Sequence, residues 1–263
     1  MLATVPPPNG KAILTTNTDV TIDHFEFSGA QVADQNGAGS RYQGGNPTIT
    51  NSFFHDNLDG LLTNPDPAGI ITIRNSELAH NGAGDGRSHN LYVNDLARLT
   101  IADSYFHDAV VGHEIKSRAR ITEINGTRIA EGPDGTASYS VDLPNGGVAT
   151  ISNNIIEQGP NSQNPAIIHF GGEPYGFWDN SSLPISNNTI VNDLGSGSAR
   201  LLLNQTGVTA QISDNIVYGL TEPRSLTIAA SISGIVHAAV APNVSIASSI
   251  LSGGADRGDH AAC

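Results

Sequence analysis

Of cysteine, tryptophan and methionine the 263 residues hold one each, and of lysine two. The cysteine is Cys263, the last residue, so no internal disulfide can form. No run of 18 apolar residues occurs, which excludes a membrane-spanning helix. Met1-Leu2-Ala3-Thr4 leads directly into Pro6-Pro7-Pro8, with no charged start and no apolar stretch to read as a leader. Positive charge is scarce: Lys11, Lys116 and ten arginines face 25 acids, for a formal charge of −13. Such a body repels nucleic acid and anionic membrane at long range, so an acidic ligand needs a local cationic cluster. Aromatics are few at 5%, whereas glycine numbers 29, a balance suited to thin coils joined by tight turns.

What the chain does have is a repeated phrase. Isoleucine recurs at 22, 49, 73, 101, 124, 151, 185, 212 and 246. Two positions on stand His24, Asn51, Asn75, Asp103, Gly126, Asn153, Asn187, Asp214 and Ser248. Five positions on stand Phe27, Phe54, Leu78, Phe106, Ile129, Ile156, Ile190, Val217 and Leu251. Periods in the twenties built from β-type phrases mark a solenoid whose short strands stack about 4.8 Å apart. The expected fold is all-β: one parallel β-helix domain over 1–263, with coils over about residues 20–251 and a flexible tail at 252–263. Asn and Asp at the second position suit the left-handed backbone of a sharp bend and read as turn builders. His55-Asp56 and His107-Asp108 fall at equivalent points of two coils and read first as turn features, with a catalytic dyad as the alternative. Residues 31–47 and 79–88 read as glycine-rich loops on the wall of a groove. No Gly-Lys-Ser/Thr follows either, which excludes a phosphate loop.

Chemistry concentrates on another strand of each coil. Strict alternation turns Leu91, Val93, Ile115, Val141, Leu143, Ile168, Phe170 and Leu202 inward. It turns Asn90, Tyr92, Asn94, Glu114, Lys116, Arg118, Ser140, Asp142 and His169 outward. Tyr92, Lys116, Asp142 and His169 then form one column, with Arg118 beside Lys116 on the same face. By the same parity His89 and His113 point inward and read as structural or supporting residues. Two cations two residues apart repel each other unless an anion is expected, and one of them is half of the chain's lysine. Leu61-Leu62 and Leu201–Leu203 make the equivalent strands toward either end apolar. Trp178, with Tyr175 and Phe177 in the insertion 171–180, is a candidate to stack on a sugar.

The coil phrase and the segment His113-Glu114-Ile115-Lys116-Ser117-Arg118 resemble the right-handed parallel β-helix proteins that act on polysaccharides. These include pectate-lyase-like enzymes, the chondroitinase B and alginate lyase group, and mannuronan epimerases. The epimerases' Asp-Pro-His-Asp/Glu motif is absent. The resemblance implies a right-handed solenoid of about eight or nine coils with an acidic polysaccharide in a groove along one sheet. It implies eliminative cleavage of a uronate-containing polymer outside the cell or in the periplasm. Arg118 would grip the carboxylate and Lys116 would act as base, if Arg118 lowers its pKa against the opposing pull of Asp142. Tyr92 or His169 would protonate the leaving oxygen. Asn90, Asn94, Glu114, Ser140 and Trp178 would contact the sugar. A hydrolase using Glu114 and Asp142, a uronate epimerase and a non-catalytic glycan-binding solenoid are the alternatives. No firm cofactor follows. Calcium, used by several lyases of this fold, has only Asp85 and Asp95 near Glu114 as candidate ligands.

Overall fold

The computed structural model describes residues 1–173, 176–195, 197–220 and 230–239. They form a right-handed parallel β-solenoid of three sheets, with no helix among the described residues and hence none long and apolar enough to cross a membrane. Each coil contributes one strand to each sheet, and eight coils are complete. Two further strands, Ala230–Ser233 and Val236–His237, extend the second and third sheets.

The isoleucine column is the spine of the second sheet. Ile22, Ile49, Ile73, Ile101, Ile124, Ile151, Ile185 and Ile212 pair in register, rung on rung, and all are buried. The fifth-position column from Phe27 to Val217 is the matching spine of the third sheet. Between them the chain turns at the second-position residues, whose φ runs from 45° at Asn75 to 61° at Gly126. Only a residue tolerant of the left-handed region fits there, which is why Asn, Asp, His and Gly recur. One residue later a buried polar column closes the corner. Ser52, Ser76, Ser104, Thr127, Asn154, Asn188 and Asn215 each offer a side-chain oxygen to the backbone N–H at the same corner of the neighbouring rung, Ser52 to that of Phe25. Asp56 and Asp108, with φ of 54° and 53°, occupy another corner, so both His-Asp dyads are built into turns.

The end of the repeat differs from the sequence expectation. Ile232, not Ile246, follows Ile212 in the spine, and His237 pairs with Val217. The phrase is masked in the sequence because its fifth position is His237 and not a large apolar residue. Ile246, Ser248, Leu251, Tyr175 and the tail 252–263 lie outside the described residues.

Candidate functional site

The first sheet carries the candidate site. Its strands include β1 (Ala12–Thr16), β2 (Ala38–Tyr42), β3 (Asp59–Thr63), β4 (Leu91–Val93), β5 (Ile115–Ser117), β6 (Val141–Leu143) and β7 (Ala166–Phe170). Register places Tyr92 beside Lys116, Lys116 beside Asp142 and Asp142 beside His169, as alternation predicts. The same column continues the other way through Leu62 to Arg41. Arg41 was hidden because residues 31–47 read as a loop, whereas Ala38–Tyr42 is a strand of this sheet. Its glycine has a packing cause: a Cβ on Gly39 would meet the Gly60 carbonyl oxygen at 2.9 Å and Phe54 at 3.0 Å.

Alternation fails where the strands begin. Asn90, Glu114 and Ser140 are fully buried and face the interior, not the groove. Each precedes the first residue of its strand, and the bend there breaks the pleat. Asn57, Asn81 and Asn90 form an internal amide ladder. Where Ala109 interrupts it, Glu114 accepts the Ala109 N–H at 2.9 Å and the Asn90 side-chain amide. Burial pushes the Glu114 carboxyl up to about 8. The proposed Glu114–Asp142 pair of a hydrolase therefore does not exist on the surface. His89 and His113 take the places vacated outside. Their rings stack at 4.7 Å, His89 meets Tyr92 edge-on, and His113 Nε2 lies 3.3 Å from Asp142 Oδ2. His113 Nδ1 accepts the Tyr139 N–H, so its proton is on Nε2, facing Asp142. Burial lowers His113 to about 4, which agrees with a neutral ring.

Asp142 is the hub. Its oxygens take Lys116 Nζ at 2.7 Å, His169 Nδ1 at 2.7 Å and His113. Burial opposes its charge, but the His169 hydrogen bond, the Nε2–H of His113 and the Lys116 charge hold it well below the usual carboxylate range. His169 is closed on its far side by Gln205, 2.8 Å from Nε2. Burial would lower its pKa, but the Asp142 hydrogen bond and charge raise it.

The residue that sequence reasoning missed is Glu173. It sits on the insertion after β7, beyond Gly171 and Gly172 with φ of 82° and 93°. One oxygen lies 2.9 Å from Lys116 Nζ and the other contacts Arg118 Nη2. No local signal links a glutamate to a lysine 57 residues away. Burial would lower the Lys116 pKa, but Asp142 and Glu173 outweigh it and raise it, which favours the ammonium form over a free base. Each nitrogen of Arg118 has an acceptor: Nε donates to Tyr92 Oη at 2.9 Å, Nη1 to Asn145 at 2.6 Å and Nη2 to Glu173.

Beside this cluster lies a cavity of about 400 Å³ lined by Pro65, Tyr92, Asn94, Asp95, Arg118 and Asn145. Asn94 is thus in reach of a bound molecule. Trp178 is half-buried against the same stack: its indole N–H donates to the Arg118 carbonyl at 3.0 Å, and the Arg120 guanidinium lies over its ring. The calcium candidates do not meet, since Asp85 and Asp95 line different cavities and Glu114 is internal. Among the described residues the one gathering of metal-ligand atoms is His80, His107 and Asp108, away from this sheet. There His107 is already held between Asp108 at 2.6 Å and Glu77 at 3.2 Å.

No protein-family model, curated protein or solved structure matches the chain. Of the resemblance to polysaccharide-active β-helix proteins, the parallel β-solenoid is what the structure bears out.

Proposed function

We propose that the groove on the first sheet binds the carboxylate of an acidic, uronate-containing polysaccharide and cleaves the chain by β-elimination. One observation carries the reading: a carboxylate, that of Glu173, already lies across Lys116 and Arg118. The two cations are spaced to take one carboxylate between them, and a uronate carboxylate would replace Glu173 there. Neutralising that group acidifies the neighbouring C5 proton, the first requirement of elimination. Tyr92 borders the cavity with its oxygen accepting from Arg118; as the phenolate, its own proton released to solvent, it would take the C5 proton and, as the phenol so formed, pass that proton to the leaving oxygen. Lys116 acts as a fixed charge.

Hydrolysis is the weaker reading. A glycosidase needs one carboxyl group kept protonated. Burial opposes ionisation of Glu173, but the hydrogen bonds from Arg118 and Lys116 lower its pKa, and Asp142 is held lower still. Neither is suited to donate a proton.

Incubation with polyuronates and bacterial exopolysaccharides, read by reducing ends and by ultraviolet absorbance, tests the proposal. New reducing ends with the absorbance of an unsaturated uronate are expected. Reducing ends without it mean hydrolysis, changed uronate stereochemistry without cleavage means epimerisation, and binding alone means a recognition module. Lys116→Ala should lower turnover by about two orders of magnitude or more, and full turnover in a folded variant would exclude the assigned site.

A further inference from the structure

Two cavities meet at Tyr92 and Asn94. One reaches Arg118; the other, of about 340 Å³, reaches Arg41 and is walled by Asp34, Asp59, Asp85 and Arg87. The floor between the two arginines is apolar: Leu62 packs with Ala12 and Ala38, and Tyr92 lies against them. Arg41 and Lys116 stand in one column, three rungs apart, or about 14 Å at the usual strand spacing.

Arg41 is unlike Arg118 in being short of partners. Its Nη2 donates to Asn64 at 2.8 Å, while Nε and Nη1 meet no acceptor and no solvent. Buried guanidinium N–H groups are rarely left so, and each such group asks for an acceptor. The acids around it are otherwise occupied. Asp34 pairs with Lys11 at 2.9 Å, and Asp85 accepts the N–H groups of Arg87 and Ser88. Asp59 accepts the His89 N–H, and burial pushes its carboxyl up to about 7, so it opposes an incoming anion only in part at neutral pH.

We propose that Arg41 is a second carboxylate-binding point of the groove, so that the protein reads two acid groups on one polysaccharide chain lying along the solenoid axis. The inference rests on the carboxylate site assigned to Lys116 and Arg118 and sets the length of its ligand. A sugar residue in an extended chain advances by about one rung, so the two points suit the first and fourth sugars of an acidic oligosaccharide. Leu62 and Tyr92 lie under the sugars between. A turn of the Arg41 head away from Asn64 presents its planar fork to the incoming carboxylate.

Titration calorimetry with oligogalacturonates, oligoglucuronates and oligomannuronates of two to six residues tests this. The expected result is a step of about tenfold in affinity between trimer and tetramer for at least one series, roughly 1.4 kcal/mol. Arg41→Ala should remove the step. Arg41→Lys, which keeps charge and packing, should restore it only in part and serves if the alanine variant does not fold. Arg118→Ala should weaken every length alike. A series that binds without a step, or a step that survives in folded Arg41→Ala or survives at full size in Arg41→Lys, overturns the second point and leaves the first standing. Binding of no acidic oligosaccharide at any length removes both.

Discussion

Glu173 decides what the cationic pair can do. Its carboxylate touches both Lys116 and Arg118, yet the residue is only half-buried and is carried by a loop rather than a strand. Glu173 is the most solvent-exposed member of the cluster, and an incoming carboxylate that makes the same two contacts can take its place. Glu173→Gln removes that competitor while keeping the volume of the side chain. Affinity for acidic oligosaccharides should rise by about fivefold, roughly 1 kcal/mol, as measured by calorimetry at fixed ionic strength. Unchanged affinity would mean that ligands bind elsewhere. Loss of turnover with binding intact would mean that Glu173 acts on the substrate, and would revive hydrolysis.

At the scale of the strand and its turns, the columns explain both what the sequence discloses and what it conceals. Stacking forces like residues onto like positions, so the isoleucine column, the large apolar column that matches it and the left-handed corners are legible without coordinates. Strict alternation is also legible inside a strand, and it places Tyr92, Lys116, Asp142 and His169 together. It misleads one residue outside the strand, where the bend turns Glu114 and Asn90 inward and His113 outward. Arg41 was concealed by its glycine neighbours, which signal a loop by composition, but Gly39 here marks close approach of stacked backbones, since a Cβ on it would meet the Gly60 carbonyl oxygen at 2.9 Å. The corner ladder makes a testable claim of its own. Asn188 accepts the Asn154 N–H at 2.9 Å and donates to the Ile151 carbonyl at 3.0 Å, both in the interior. Asn188→Ala should cost about 1–3 kcal/mol in denaturant unfolding, with no change in oligosaccharide affinity. Asn188→Ser should recover part of the loss, because serine fills the same column at Ser52, Ser76 and Ser104. Equal losses for the two variants would show that packing, and not the ladder, is what the site requires.

Taken over the whole molecule, a thin solenoid with a charge of −13 has a narrow interior into which several acids have nonetheless been drawn. Burial pushes Asp59 up to about 7, Glu114 to about 8 and Glu131 to about 9. For His107 burial acts downward, but the hydrogen bonds to Asp108 and Glu77 win and raise it to about 9. Each of these groups holds a proton in the folded state that the unfolded chain has released. The stabilisation is complete below the unfolded pKa, near 4 for the carboxyls and 6.5 for the histidine, and is lost as pH rises through the folded value. Buried His89 and His113 act in the opposite sense, since burial lowers both, and so do Asp142 and Glu173. Their contributions grow with pH but are complete by about pH 6.5. Above that value only the losses remain, and each carboxyl that ionises adds to the self-repulsion of an already acidic body. Tm should therefore fall steadily from pH 6.5 to 9 at constant ionic strength. Glu131→Gln removes the carboxyl that titrates last, and should raise Tm relative to the parent at pH 9 while leaving the difference at pH 6 small. A flat profile over that interval, or one that the glutamine variant does not flatten at its alkaline end, would mean that these carboxyls are not closed off from water as the fold places them.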